Sequence, residues 1–247
     1  MRLRAMNDTA HTPPPRAIEA QGLARSFGGR RALAGVDLSV GHGECLTVFG
    51  PNGAGKTTLI KLLATLCRPS AGRAWVDGMD IRSQSVEVRR RLGVVTHSTY
   101  LYNELTVSEN LRFYGRMYRI PDMEQRIREV VSQVRLESRI HDRVGTLSHG
   151  MQKRVSIARA VLHNPSILLL DEPESGLDLH AALMMRDILD TMNSGDRTVV
   201  MTTHNMERGL AIADHVAILH RGRIVYHAPK REIEVSGFQG IYSQHTS

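Results

Sequence analysis

The chain has 247 residues, 41% of them hydrophobic, and a formal net charge of +7 at pH 7, so it is long enough for one large or two small domains with a substantial core. The excess of basic residues favours an acidic partner surface, such as anionic lipid headgroups or nucleic acid. The alternative is a basic surface that contacts only solvent. Because no apolar run approaches the roughly 18 residues that cross a bilayer, and the N-terminus lacks an apolar leader segment, we expect any work at a membrane to be done through a partner.

The first part of the chain predicts a disordered extension followed by antiparallel strands. Residues 1–15 are polar and proline-rich, a composition typical of disorder. Strand-like segments then recur near residues 17–20, 36–40 and 46–49, with glycine-rich turns between them. We therefore expect an antiparallel sheet that leads into the motif at residue 50.

That motif matches the phosphate-binding pattern G-x-x-x-x-G-K-[ST], between a buried strand and a helix. Gly50, Gly53 and Gly55 can take backbone angles that turn N–H groups inward, and a helix N-terminus attracts anions. Lys56 is predicted to reach the β- and γ-phosphates of ATP, and the hydroxyl of Thr57 to bind the Mg²⁺ that bridges them. The predicted nucleotide-binding residues of this loop are Gly50, Pro51, Asn52, Gly53, Ala54, Gly55, Lys56, Thr57 and Thr58.

Beyond the loop helix, residues 72–78 predict a strand that closes in an Asp-Gly turn, and residues 92–95 predict another buried strand. From about residue 98 to 150 the apolar residues follow helical spacing, which indicates an inserted helical subdomain. Its first helix carries an aromatic and methionine cluster. We interpret this cluster mainly as intramolecular core, and the alternative is a groove that receives a partner's helix. The cluster consists of Phe113, Tyr114, Met117 and Tyr118.

Two carboxylates and a histidine follow buried strands later in the chain. The apolar run 167–170 is typical of a strand covered on both faces of a parallel sheet, and it ends in Asp171 and Glu172. After an amphipathic helix at 181–192, a strand at 198–203 ends in His204. The carboxyl ends of such strands share one crevice. There Asp171 can position a metal, Glu172 can polarise the attacking water, and His204 can contact the γ-phosphate. The alternative is that these carboxylates merely end a strand.

Residues 147–154, Leu-Ser-His-Gly-Met-Gln-Lys-Arg, precede a helix, for which Ser148 suits the N-cap position. Together with the phosphate loop, residues 167–173, residues 175–178 and His204, this stretch resembles the signature of ATP-binding-cassette ATPases, over about residues 17–228. The resemblance implies an α/β fold: a P-loop NTPase (RecA-like) core with an antiparallel β subdomain and an inserted α-helical subdomain. The predicted domains are an extension at 1–15, the cassette at 16–230 and a C-terminal tail at 231–247.

In that family two cassettes bind head to tail and enclose two ATP molecules between them. The resemblance implies that Phe27 stacks on adenine, and that Ser148 and Gly150 contact the γ-phosphate held by the other cassette. It also implies that Glu172 is the general base, that Asp178 couples the two sites, and that His204 is the switch histidine.

Three positions depart from the family pattern. His97 stands where the family usually has a glutamine that senses Mg²⁺ and the partner subunit. The signature has His149 for its usual second glycine and Met151 for its usual glutamine. Because an imidazole can accept a hydrogen bond from metal-bound water but changes charge near neutral pH, we expect pH-sensitive coupling at His97.

The leading hypothesis is a Mg²⁺-dependent ATPase subunit of an exporter, peripheral on the cytoplasmic face of the inner membrane, bound to separate transmembrane permease subunits. Cys45 and Cys67 lack metal-ligand spacing, which favours reduced thiols and the cytoplasm. The chain is similar to haem exporters of cytochrome c maturation and to multidrug-type cassettes. The alternatives are a soluble cassette ATPase acting on ribosomes or DNA, and a small-molecule kinase. We expect no nucleic-acid partner, because such cassettes usually come in pairs or carry long coiled coils.

Overall fold

The structure is a computed structural model, and it describes residues 16–175 and 197–246. The strands of this part of the chain are β1 (Ile18–Phe27), β2 (Arg30–Val40), β3 (Cys45–Phe49), β4 (Ala71–Val76), β5 (Met79–Asp80), β6 (Leu92–Val95), β7 (Ile167–Asp171), β8 (Thr198–Thr203), β9 (His215–His220) and β10 (Arg223–Pro229). The helices are α1 (Lys56–Leu63), α2 (Ser85–Arg91), α3 (Val107–Tyr118), α4 (Met123–Gln133), α5 (His149–Val161), α6 (Met206–Ile212) and α7 (Phe238–Thr246).

The N-terminal strands form an antiparallel sheet of order β2-β1-β4-β5. Asp77 and Gly78 join β4 to β5 and have φ angles of 48° and 74°, the left-handed values that a tight hairpin turn requires. Apolar residues on one face of this sheet pack with helix α1. The antiparallel subdomain and its Asp-Gly turn are therefore as predicted.

The central sheet has six strands in the order β10-β9-β3-β8-β7-β6. Its strands are parallel except for the β9–β10 hairpin. Every residue of β3, β7 and β8 is buried, because helices cover both faces of the sheet. The carboxyl ends of these three strands therefore meet at one edge. The mixed α/β fold predicted from the sequence is confirmed.

The helical region lies between β6 and β7, and two of its helices, α3 and α5, begin at hydroxyl caps. The hydroxyl of Thr106 accepts from the backbone N–H of Glu109 in a capping box at α3. Ser148 caps α5 by accepting from the backbone N–H of Met151, as predicted. Apolar residues of α3, α4 and α5 form a second core with one face of the central sheet.

The aromatic cluster of α3 is less buried than the sequence suggested. The exposed fractions of Phe113 and Met117 are 39% and 65%, so these two side chains are not core residues. Tyr114 packs partly against the helical core, and Tyr118 stacks on His163. The interpretation as intramolecular core is wrong for Phe113 and Met117, because they project from the side of α3 that faces away from α4 and α5.

Residues 231–246, to which the sequence assigned no structure, contain helix α7. Phe238 at its start is fully buried, and its ring centre lies 5.0 Å from that of Phe49. Phe49 is the last residue of β3 and directly precedes the phosphate loop, so α7 packs beneath the loop's entry strand.

Some expectations cannot be compared with the structure, because the predicted extension 1–15, the predicted helix 181–192 and Asp178 lie outside the described residues. Among the helices that are described, none combines the length and the apolar composition needed to span a membrane.

Candidate active site

A cavity of about 730 Å³ lies at the carboxyl edge of the central sheet, a size typical of small-molecule sites. It brings together Phe27, the phosphate loop, His97 and Glu172, which are far apart in sequence. The residues that line it are Phe27, Arg30, Arg31, Ala32, Pro51, Asn52, Gly53, Ala54, Gly55, Lys56, Thr57, Thr58, His97, Glu172 and Arg221.

The glycines of the phosphate loop serve two different purposes. Gly53 and Gly55 have φ angles of 79° and 112°, which L side chains rarely adopt. Gly50 is not in the left-handed region. A Cβ atom at Gly50 would lie 2.3 Å from the carbonyl oxygen of Leu219, so glycine is needed there because the loop packs closely against β9.

Lys56 is 5% exposed and folds back over the loop. Its Nζ donates to the carbonyl oxygens of Gly50 (2.6 Å) and Pro51 (3.2 Å), and it lies 3.3 Å from Oε1 of Glu172. The ammonium group is therefore held at the floor of the cavity by three oxygens. Phosphate oxygens that enter the cavity would meet this charge directly.

Asp171 ends β7 and is fully buried. Its Oδ1 accepts from the hydroxyl of Thr202 at 2.8 Å, and its Oδ2 has no hydrogen-bond partner among the described residues. A buried carboxylate oxygen without a partner is costly, so this atom fits a site completed by a cation or by metal-bound water. These residues therefore suit Mg²⁺.

Glu172 follows Asp171 with a φ angle of 45°, so its side chain leaves the strand direction and enters the cavity. Its backbone N–H donates to the carbonyl oxygen and the hydroxyl of Thr202, at 3.0 and 3.1 Å. Its Oε2 lies 3.4 Å from Nδ1 of His204 and 4.0 Å from Nε2 of His97. Both imidazoles thus approach the same carboxylate oxygen, while Lys56 holds the other.

His204 does not line the main cavity. It lines an adjacent cavity of about 250 Å³ that shares Glu172. Arg208 also lines this second cavity, and its guanidinium donates to Glu174 at 2.6 Å. Glu172 therefore stands between the two cavities.

A buried lysine that the sequence analysis did not single out lies behind the carboxylates. Lys153 is 2% exposed, and its Nζ donates to the carbonyl oxygen of Thr96 at 3.0 Å. Burial lowers the pKa of its ammonium group, while the charges of Asp171 and Glu172 oppose that shift. Its position in the polar stretch 147–154 gave no sign that it would be buried.

The structure does not bring every predicted site residue to the cavity. Ser148 and Gly150 are absent from its lining, and Asp178 falls outside the part of the chain described. Three arginines line the cavity that sequence reasoning missed: Arg30, Arg31 and Arg221. Their signal was weak, since Arg30 and Arg31 begin β2 directly after a glycine turn and Arg221 lies in the turn before Gly222, settings common for surface residues.

Comparison with known families and proteins gives consistent results. A family model described as "ABC transporter" matches residues 33–175. ABC transporter ATP-binding protein NatA of Bacillus subtilis is 36% identical over 199 residues, 79% of this chain and 81% of that protein. Nod factor export ATP-binding protein I of Rhizobium johnstonii is 35% identical, over 88% of this chain and 71% of that protein. The daunorubicin/doxorubicin resistance ATP-binding protein DrrA of Streptomyces peucetius is 36% identical, over 92% of this chain and 69% of that protein.

Solved structures agree with these relatives. The ATP-binding subunit of an ABC transporter superposes with a TM-score of 0.84 at 27% identity, covering 94% of this chain and all of that one. An ATP-binding cassette solved as a dimer in a post-hydrolysis state, with ADP and Pi bound, has a TM-score of 0.79 at 26% identity. That match covers 87% of this chain and 99% of the other.

Proposed function

The chain belongs to the ATP-binding cassettes of ABC transporters, and we propose that it powers an exporter through separate transmembrane permease subunits. It is an ATP-binding and ATP-hydrolysing transporter subunit. Export is supported by relatives named for Nod factor export and for daunorubicin/doxorubicin resistance. The observation that carries the residue assignments is the single cavity in which the phosphate loop faces Glu172.

In our proposal Lys56 and the loop N–H groups bind the phosphates of ATP, and Glu172 is the general base for the attacking water. Phe27 stacks on adenine, since it lines the cavity and is 50% exposed. His204 orients Glu172 and the γ-phosphate, and His97 contacts the same carboxylate from the other side. The chemistry depends on positioning and on charge, as in phosphoryl transfer generally.

Mg²⁺ would be held by the Thr57 hydroxyl and by Asp171, whose Oδ2 lacks a partner among the described residues. The ion would neutralise charge on the phosphates. Thr202 keeps Asp171 oriented by donating to its other oxygen.

We further propose a head-to-tail dimer of two cassettes, with Asp178 coupling the two sites. Ser148 caps α5 but does not line this chain's own cavity, which suits a contact to ATP held by another cassette. Gly150 follows in the first turn of the same helix. Solved relatives that form dimers support this arrangement.

Four exposed side chains, Tyr100, Tyr102, Phe113 and Met117, form a surface that we call the aromatic surface. We propose that the permease subunits bind there. These side chains are between 39% and 65% exposed. Tyr102 and Phe113 meet edge to face, with ring centres 5.0 Å apart. Such a surface fits the apolar side of a partner's helix, which would place the chain peripherally on the cytoplasmic face of the inner membrane.

Two classes of cargo come into question, a drug-like or lipid-like molecule and haem. The relatives named above support the first class, since none of them is named for haem or for cytochrome c. We therefore propose a drug-like or lipid-like cargo.

The test is the oligomeric state of Glu172→Gln with ATP and Mg²⁺, measured by size-exclusion chromatography with light scattering. We expect an ATP-dependent dimer, because without the carboxylate of Glu172 the ATP enclosed between two cassettes is not hydrolysed. Glu174→Gln is the matched control, since Glu174 pairs with Arg208 beside the site. A Glu172→Gln protein that binds ATP yet stays monomeric, also with co-purified membranes, would contradict the proposal.

A further inference from the structure

Arg159 is a partly buried cation that the site described above does not use. It lies on α5 and donates through Nη2 to the carbonyl oxygen of Val94 at 2.6 Å. Burial lowers the pKa of its guanidinium, but an arginine remains charged at neutral pH. Among the described residues no carboxylate lies within ion-pair distance of it, so other groups must stabilise this charge.

Two tyrosines stabilise it. The central carbon of the guanidinium lies 5.6 Å from the ring centre of Tyr100 and 5.2 Å from that of Tyr114. The hydroxyl of Tyr114 in turn donates to the carbonyl oxygen of Tyr100. Arginine is suited to this place because its flat, weakly hydrated head can stack on rings while its fork donates to a carbonyl.

Arg159 is the middle member of a row of contacts along an edge strand. β6 pairs with β7 on one side. On the other side, the carbonyl oxygens of Leu92, Val94 and Thr96, the residue that follows β6, accept hydrogen bonds from side chains. Lys153 donates to Thr96 at 3.0 Å, Arg159 to Val94 at 2.6 Å and His163 to Leu92 at 3.1 Å. Helix α5 and the turn after it are thus bonded to β6 in a fixed register.

The row connects two regions with different proposed partners. Ser148, at the start of α5, is proposed to contact ATP held by a second cassette. Arg159 lies eleven residues further along, about 17 Å at 1.5 Å per residue. There it contacts Tyr100, which belongs to the aromatic surface, and Tyr114, which lies edge to face with Phe113.

We propose that Arg159 is a positioning residue that links the placement of α5, and with it Ser148, to the aromatic surface. If the guanidinium leaves this place, it loses its hydrogen bond to Val94 and its contacts with both tyrosine rings. A shift of α5 therefore moves Val94, Tyr100 and Tyr114 with it. The inference rests on the proposed function, since that function gives each end of α5 its partner.

The test is hydrogen–deuterium exchange of the full chain in the Glu172→Gln background, with and without ATP and Mg²⁺. Peptides covering residues 147–156 report the signature end of α5, and peptides covering 98–118 report the aromatic surface. With Arg159 intact, we expect ATP to slow exchange in both regions. In Arg159→Gln, residues 147–156 should keep their response, while the response of 98–118 falls by half or more. Arg159→Lys should be intermediate.

The matched control is Arg154→Gln, on the same helix, whose side chain donates to the carbonyl oxygens of Val134 and Arg135 instead of β6. It should leave both responses intact. Each variant is first checked by circular dichroism and thermal unfolding. An unchanged ATP response of 98–118 in a folded Arg159→Gln protein would overturn the inference and leave the proposed function standing. If residues 147–156 show no ATP response while Arg159 is intact, the proposed function is contradicted. The inference then fails with it.

Discussion

At the scale of single residues, the charges of the site converge on the carboxylate of Glu172. Lys56 lies against one oxygen, and His97 and His204 lie against the other. Phosphate oxygens are strong partners for a lysine, so we expect ATP to draw Lys56 away from Glu172. The carboxylate would then be held by the two imidazoles alone, which makes His97 a residue worth testing.

We predict that His97→Ala lowers the maximal ATPase rate by about tenfold, the effect of losing about 1.4 kcal/mol of stabilisation. His97→Gln should keep most of the activity, because a carboxamide can also bind metal-bound water. Steady-state ATPase assays measure both effects. Equal turnover in all three proteins would contradict the prediction.

His163 gives a pH dependence of stability that has no connection with catalysis. Burial lowers the pKa of its imidazole from 6.5 to about 4. As the pH falls below 6.5, the unfolded chain takes up a proton on this side chain that the folded chain does not. The free energy of unfolding should therefore fall by about 2 kcal/mol at pH 5 through this residue alone.

The measurement is urea unfolding at pH 7 and pH 5. His163→Phe keeps a ring beside Tyr118 but has no titrating group, so the loss of stability between the two pH values should shrink by about 2 kcal/mol. His141→Gln, at an exposed position, is the control and should leave the loss unchanged. The same loss in the wild type and His163→Phe would show that His163 is protonated without penalty in the folded chain.

At the scale of elements, α3 and α5 begin in similar ways but are proposed to do different things. Both have a hydroxyl N-cap, Thr106 for α3 and Ser148 for α5. An N-cap satisfies backbone N–H groups that the helix leaves free, so both residues contribute to stability. Only Ser148 is also proposed to contact ATP.

This difference predicts how two equivalent substitutions behave. Thr106→Ala and Ser148→Ala should each lower the free energy of unfolding by about 1 kcal/mol, because each removes a capping oxygen. The ATPase rate of Thr106→Ala should stay near that of the wild type, whereas that of Ser148→Ala should fall. Thermal unfolding and ATPase assays of the pair separate the two effects. Matching ATPase rates in the two variants would argue against a contact between Ser148 and ATP.

At the scale of the whole molecule, the C-terminal helix supports the nucleotide site from beneath. Phe238 of α7 and Phe49 of β3 are both fully buried in a third core cluster. The phosphate loop begins at the residue after Phe49. Packing that fixes this ring therefore also fixes where the loop starts.

We predict that Phe238→Ala destabilises the chain by about 3–5 kcal/mol, since it leaves a cavity next to Phe49. ATP affinity should also fall, because the entry strand of the loop loses its packing. Urea unfolding and titration with a fluorescent ATP analogue measure the two effects. Val235→Ala, an exposed apolar residue nearby with 57% exposure, should change neither. Unchanged ATP affinity in a folded Phe238→Ala protein would remove the proposed support from α7.

The sequence by itself determined the local pieces of this protein. Apolar runs located the strands that end at Phe49 and Asp171, and hydroxyl residues marked the start of α5 at Ser148. The phosphate loop was found from its spacing of glycine, lysine and threonine. These features depend on neighbours within a few residues, so periodicity and turn chemistry are enough to read them.

Only the tertiary structure decided which distant side chains meet. His97 and His204 approach one oxygen of Glu172 because β6, β7 and β8 are adjacent, and strand order and register cannot be read from local spacing. For the same reason, the sequence did not predict the left-handed backbone at Glu172 or the close packing of Gly50 on β9. The contacts of Arg159 with β6 depend on α5 crossing an edge strand, an arrangement fixed by packing over the whole chain.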